Sequence, residues 1–387
     1  MSATPILDLE QEPPKPPKPP KAAGRVWRIV AGLAIGAIAG NVAPAVEDFW
    51  PHFPSFNIFV WILALHVMIL LHECGHLVAG MLAGLPPGGM RVGCFALIRS
   101  GDRWIFRFEP RRFLSGMAIP LPPEGGAPVS SLIWMVAGGP LASVAVMAVC
   151  WAAWLKYGDG NRDWIGSVWW AAFACLSCLI PMSNGLMKSD ISRLWMFWRH
   201  PDETESWVAL VAVNAENLRG VRPRDWMPSL AGKMSARDPK DRSIQAELFL
   251  YCRCWDEGDF EGALQHLETC LALSGRAGKG VRKALFFEAA AASAFRRRDA
   301  AHARTWRERA EKLGKFSAVP GAGSAAAVAM CEGRYEDALR EIEEARRVIL
   351  RRNPGSGVAV FAREQLNAHE SECRRALAGS AASSAGA

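Results

Sequence analysis

Apolar residues gather in four long runs before residue 190, after which the chain becomes charged and rich in alanine. The runs are roughly Ile29 to Val46, Phe56 to Leu85, Ser130 to Leu155 and Trp164 to Met187. A bilayer core of about 30 Å takes about 20 apolar residues in a helix, so the pattern predicts four membrane-spanning helices. Between the second and third runs, "MRVGCFALIRSGDRWIFRFEP" alternates apolar and polar residues around a Ser-Gly-Asp turn, which predicts a β-hairpin. Such strands beside a membrane site either cover it or pair with an extended substrate segment.

Beyond about His200 three similar units recur: "EGDFEGALQHLETCLAL", "RRDAAHARTWRERAEKL" and "EGRYEDALREIEEARRVI". Ala263, Ala303 and Ala338 occupy matching places at intervals of 40 and 35 residues. A polar turn followed by an amphipathic helix at such spacing resembles degenerate tetratricopeptide repeats, whose stacked helix pairs build a concave surface for a protein partner. An ordinary helical domain without a partner gives the same pattern. The expected fold is an all-α multi-span membrane protein, with about four transmembrane helices and a small β-hairpin insertion, joined to a soluble α-helical, tetratricopeptide-like C-terminal domain. The divisions fall at a proline-rich tail (1–25), a membrane domain (26–200), the helical domain (201–375) and a flexible tail (376–387).

Charge orients the spans. Lys15, Lys18, Lys21, Arg25 and Arg28 precede the first run, whereas "EDFWPHFPS" after it has no Lys or Arg. The connection between the second and third runs carries Arg91, Arg99, Arg103, Arg107, Arg111 and Arg112; the third loop has only Lys156 and Arg162. Lys188, Arg193 and Arg199 follow the fourth run, so the positive-inside rule puts both termini in the cytoplasm. The net charge of +7 is explained by this orientation and gives no reason to expect nucleic acid. Trp27, Trp50 and Trp164 lie at the ends of apolar runs, where amphipathic rings favour the membrane interface. The ten cysteines show no spacing of a secreted disulfide framework and read as reduced, buried residues. The first 24 residues are polar and proline-rich rather than a cleavable leader, and "PPKPPKPPK" (Pro13 to Lys21) reads as an extended tether or a docking site for a proline-binding module. Gly32, Gly36 and Gly40 give the first run a small-residue face for close helix packing, within the bundle or, as the alternative, in a dimer.

Within the second run, "ILLHECGHLVAG" places three strongly polar side chains among apolar ones, and such residues in a span are by default functional. His72 and His76, four residues apart, project from one helix face and can share a tetrahedral zinc; Glu73 beside them can accept a proton from water at the metal. His66, earlier in the same helix, reads as a packing residue. Sixteen residues past Phe56, at about 1.5 Å each, put His72 roughly 24 Å into the layer, near the cytoplasmic side. A third ligand must come from a neighbouring span at that depth. The fourth run ends there, in "LIPMSNGLMKSDISRLW", with Asp190 following. Asp190 can ligate the ion, cap the helix that starts at Ile191, or pair with Arg193.

Together, "HECGH" (72–76), "AGGPLAS" (137–143) and "LIPMSNGLMKSD" (179–190) resemble the site-2 protease family of intramembrane zinc metalloproteases, over roughly residues 25 to 200. The resemblance implies that His72, His76 and Asp190 hold Zn2+, that Glu73 is the general base, and that Gly139, Pro140 and Asn184 help to position substrate. Ser143 and Cys178 stand where the family usually has asparagine, and Ile191 where it has glycine after the aspartate; this touches substrate handling more than metal binding. The implied activity is hydrolysis of peptide bonds in or near transmembrane segments of membrane-tethered proteins or peptides, in regulated proteolysis. The implied location is the lipid bilayer of a bacterial inner membrane. Two other readings are a catalytically impaired scaffold that recruits partners through its helical domain, motivated by the missing asparagines, and a proton-relaying transporter, which needs no stoichiometric zinc.

Overall fold

The computed structural model describes residues 58–113, 115–157, 189–235, 243–314, 319–352 and 354–385. The expected proline-rich tail, the first and fourth spans, and Cys178 and Asn184 lie outside these residues. Among the described residues two helices are long and apolar enough to cross a membrane: α1 (Ile58–Leu82) and α2 (Val129–Tyr157). They pack along one another where two glycines meet. A Cβ at Gly75 would overlap the Gly138 carbonyl oxygen, and one at Gly138 would overlap that of Gly75. Small residues here let the two backbones approach to a distance no larger side chain permits. Above the crossing, Leu65 and Met68 fill the seam against Val146 and Met147.

The expected hairpin is part of a larger sheet. Strands β1 (Pro87–Val92), β2 (Phe95–Ser100), β3 (Arg103–Phe108) and β4 (Gly116–Pro120) form an antiparallel sheet in the order β3-β2-β1-β4. The β2–β3 turn sits at Gly101 and Asp102, with Ser100 opposite Arg103, where the alternation had placed it. Strands β1 and β4 escape a sequence reading because "PGGMRV" and "GMAIP" are short and interrupted by glycine and proline, which weaken any strand signal.

The sheet divides its faces sharply. Ala96 and Ile98 point inward and pack with Leu121 on Ala215 and Leu218 of α4 (Pro201–Arg219), the helix that follows the short α3 (Asp190–Arg199). Phe95, Leu97, Phe106 and Phe108 point outward and are exposed, with Phe95 stacked on Phe106 at 5.9 Å.

The remaining helices form the second region: α5 (Pro228–Ser235), α6 (Ile244–Glu257), α7 (Phe260–Leu273), α8 (Lys279–Arg297), α9 (Ala300–Glu311), α10 (Val319–Cys331), α11 (Tyr335–Arg352) and α12 (Gly357–Ala385). Helices α6 and α7, α8 and α9, and α10 and α11 pack as successive pairs, and each of the three repeated units is the second helix of a pair. The polar turns start these helices: Asp259 Oδ1 accepts from the Gly262 N–H at 3.0 Å and Asp299 Oδ1 from the His302 N–H at 2.9 Å, each satisfying a donor that a helix start leaves open. Helix α12 runs on to Ala385, through most of the segment expected to be a flexible tail; "GSAASSA" is rich in alanine, the best helix former.

Beyond residue 200 the chain stays packed on the sheet and the two apolar helices. Helix α4 covers the sheet, and Trp207, Val208 and Val211 on it pack with Phe197 against Leu85, Leu132 and Met135 at the ends of α1 and α2. Backbone bonds tie the same joint, with Gly101 N–H donating to the Leu218 carbonyl at 2.7 Å and Gly355 N–H to Ser100 Oγ at 2.9 Å.

Candidate metal centre

Helix α1 has no polar face to give to water, since its outward residues are apolar, so its polar side chains turn toward α2 and the sheet. His72, Glu73 and His76 are each buried to 6 % exposure, and their candidate ligand atoms all lie within 4.8 Å of one another, a group that can hold a metal ion. Asp190, the first residue of α3, joins them from the far side and is also buried. Its Oδ2 lies 3.3 Å from His72 Nε2 and 3.5 Å from His76 Nε2. The structure thus brings together four of the residues singled out in the sequence, across 118 positions of chain between His72 and Asp190.

The hydrogen bonds behind the rings define which atoms face inward. His76 Nδ1 lies 2.8 Å from the Met135 carbonyl oxygen and 3.2 Å from the Gly139 N–H; the nearer partner can only accept, and with the proton on Nδ1 a neutral His76 presents the bare Nε2 to Asp190. Pro140, one turn along in α2, has no N–H to bond the Val136 carbonyl, and the helix ladder is interrupted beside Met135. His72 Nδ1 lies 2.9 Å from Ser143 Oγ, itself fully buried.

A carboxylate oxygen this close to two ring nitrogens needs a cation between them, either a proton or a metal ion. Separations of 3.3 and 3.5 Å are long for a good hydrogen bond. They match the edge of a tetrahedron around an ion bound at about 2.0 Å, where ligand atoms are about 3.3 Å apart. The residues present therefore fit a four-coordinate metal, with two imidazoles and one carboxylate filling three places. Burial opposes ionisation of Asp190, but with no ion between them, protons that His72 and His76 donate to it and the charge of Arg193 outweigh burial and hold the carboxyl well below the usual carboxylate range. Of the three roles open to Asp190, the geometry joins two: it faces the imidazoles through Oδ2 and lies 3.8 Å from Arg193 Nη1 through Oδ1. Ser189, not Asp190, stands at the cap position of α3.

Two glycines keep the centre open. A Cβ on Gly139 would overlap His76 Nε2 and come within 2.7 Å of His72 Nε2, so only glycine lets α2 pass this close to the ligand atoms. A Cβ on Gly116, at the start of β4, would overlap Glu73 Oε1, so the same holds where the sheet meets the candidate base. Gly139 therefore lies against the imidazoles, and Pro140 is buried beside it. The sequence marks Ser143 as a departure that bears on substrate; the structure places its hydroxyl on His72. Gly116 and the Met135 carbonyl carried no sequence signal at all. His66 has the packing role expected of it: Nε2 donates to the Phe113 carbonyl at 3.0 Å, and the ring meets the Phe113 ring edge-on.

No protein-family model matches the chain, and no curated protein or solved structure is similar to it in these comparisons.

Proposed function

We propose that the chain is an intramembrane zinc metalloprotease that hydrolyses peptide bonds in or near transmembrane segments of membrane-tethered proteins, in regulated proteolysis. The observation that carries the reading is the convergence of His72 Nε2, His76 Nε2 and Asp190 Oδ2 at 3.3 to 3.5 Å, with Glu73 beside them, on a helix apolar enough to cross a membrane. Three protein ligands with one position left open are the arrangement of catalytic rather than structural zinc sites. When bound, zinc would supply a Lewis acid that polarises the scissile carbonyl and lowers the pKa of water to about 7.

The chain's own residues divide the work. His72, His76 and Asp190 hold the ion. Glu73 accepts a proton from the attacking water and returns it to the leaving amine, the general acid–base role for which its place beside the open position suits it. A helical substrate hides its amides in internal hydrogen bonds and must unwind before attack. Strand β4 starts against Glu73 and, among the described residues, pairs with β1 alone, so its other edge is placed to hold an unwound strand. The exposed aromatic face of the sheet and the apolar outer faces of α1 and α2 suit a lipid surround.

The test is the zinc-to-protein ratio of the detergent-purified chain together with cleavage of a membrane-tethered reporter. A ratio near one that collapses in His72→Ala, and a Glu73→Gln variant that keeps zinc and loses cleavage, are the expected results. A folded, chelator-free protein without zinc would end the metalloprotease reading.

A further inference from the structure

One stripe of α2 faces the candidate centre. Met135, Gly139 and Ser143 recur at four-residue intervals, so they share one face of the helix. Each does something different to the two histidines: Met135 offers a carbonyl to His76 Nδ1, Gly139 offers space to both rings, and Ser143 offers a hydroxyl to His72 Nδ1. The first of these favours a proton on Nδ1, because the Met135 carbonyl has none to give and lies nearer, at 2.8 Å, than the Gly139 N–H at 3.2 Å. The third is not fixed by the chemistry of the group alone, since a hydroxyl can donate or accept.

The centre decides it. Both Nε2 atoms face the same oxygen, Asp190 Oδ2, and two imidazoles can share one ion only if both Nε2 atoms are free of protons. For His76 the Met135 carbonyl secures this. For His72 the group that reaches Nδ1 is Ser143, at 2.9 Å and with no exposure to solvent, so water has no access to substitute for it. A ligating histidine is held in tautomer and orientation by the acceptor behind it.

We propose that Ser143 is a positioning residue of the metal centre: its hydroxyl accepts the Nδ1–H of His72 and so fixes the tautomer that presents Nε2 to the ion. The inference rests on the zinc reading above and adds to it a residue that neither composition nor spacing marks. It also gives the serine at this position a task of its own. The ring of His76 is fixed by backbone, which no substitution removes, whereas that of His72 depends on a single side-chain oxygen.

The experiment compares the full chain, Ser143→Ala and Ser143→Thr in detergent, with zinc affinity measured by chelator competition and the cobalt(II)-loaded visible spectrum recorded for each. Ser143→Ala is expected to bind zinc roughly 10- to 100-fold more weakly and to show an altered cobalt spectrum. Ser143→Thr, which keeps the hydroxyl, is expected to stay close to wild type on both. Equal affinity and an unchanged spectrum in the alanine variant would overturn the role, as would equal losses in both variants, which would make Ser143 a packing residue. Independently of any variant, 15N shifts of histidine-labelled, zinc-loaded wild type should show His72 protonated at Nδ1 and metallated at Nε2; the opposite tautomer overturns the proposal even if the alanine chain does not fold. A wild type that binds no zinc removes the metal reading itself, whereas a zinc-binding wild type matched by Ser143→Ala removes only the role of Ser143.

Discussion

The two halves of the molecule are built with opposite polarity. On α1 and α2, large apolar side chains face outward, with Leu82 86 % exposed and Val149 67 %, while His72, Glu73 and His76 are buried. In the helical domain the order is the usual one: Leu267, Leu285, Trp306 and Ile342 are inside and most arginines and glutamates outside, with the buried Glu247 an exception that pairs with His266. The small residues differ in the same sense. The membrane-type pair uses glycine at its crossing, where a backbone must touch a backbone or a ligand ring. The helical pairs use alanine, with Ala263, Ala290, Ala303, Ala326 and Ala338 fully buried, where helices need only be near. Glycine costs helix stability of roughly 1 kcal/mol relative to alanine, so its presence marks the places where a close approach is indispensable.

The largest expected effect breaks that distinction at its centre. Gly139→Ala places a methyl group onto rigid ring nitrogens, which cannot swing aside as a flexible chain end would. The zinc-to-protein ratio is expected to fall to near zero while the helical domain keeps its unfolding transition. A ratio equal to wild type would show that α2 can retreat from α1 and that the close crossing does not define the centre.

Next in size is the dependence of one half on the other. A truncation from residue 205 cuts α4 and uncovers Ala96, Ile98 and Leu121. Zinc occupancy is expected to drop in that truncation and to persist in one that ends at residue 235, which keeps α4 and α5. Equal zinc in both would make the sheet self-supporting. In the opposite direction, Trp306→Ala removes a side chain only 2 % exposed from the core of the helical pairs, where it lies against Phe286. A loss of about 3–5 kcal/mol in domain stability is expected, with zinc binding unchanged. A parallel loss of zinc would join the two halves more tightly than the α4 contacts require.

What could be read from the sequence follows from how local each signal is. His72, Glu73 and His76 fall within five residues of one helix, so helical spacing alone assembles them. Asp190 was reachable because depth in a membrane ties distant segments together before any contact is known. Ser143 and Met135 were not, since they meet the histidines 71 and 59 positions away and a hydroxyl or a backbone carbonyl has no distinctive sequence signature. The repeats were legible as alanines at matched places, and the structure sets each on the second helix of a pair. The change of character near residue 200 is local and so was legible, whereas the attachment of α4 to the sheet is a tertiary fact and was not. Strand β4 belongs with it, because five residues containing glycine and proline acquire their meaning only beside β1 and Glu73.

The smallest effect concerns a histidine that the two halves treat differently. His72 and His76 face a carboxylate; His369 on α12 is stacked on the Phe295 ring, with centroids 3.9 Å apart. Burial pushes its imidazole down to about 4, with Glu372 opposing the shift. An unfolded histidine takes up its proton near pH 6.5, so between about pH 6.5 and 4 the unfolded chain binds a proton that the folded chain does not. The contribution of His369 to stability is therefore whole above pH 6.5, declines as the pH falls toward 4, and levels off below it. The full shift corresponds to at most about 3 kcal/mol. Denaturant unfolding of the helical domain in wild type and His369→Leu should diverge over that window, because the leucine variant lacks this proton and loses less stability on acidification. The difference between the two isolates the imidazole from carboxylates that titrate in both chains, and curves that stay parallel from pH 7 to 4 would mean that His369 titrates as freely folded as unfolded, with its ring open to water rather than held against Phe295.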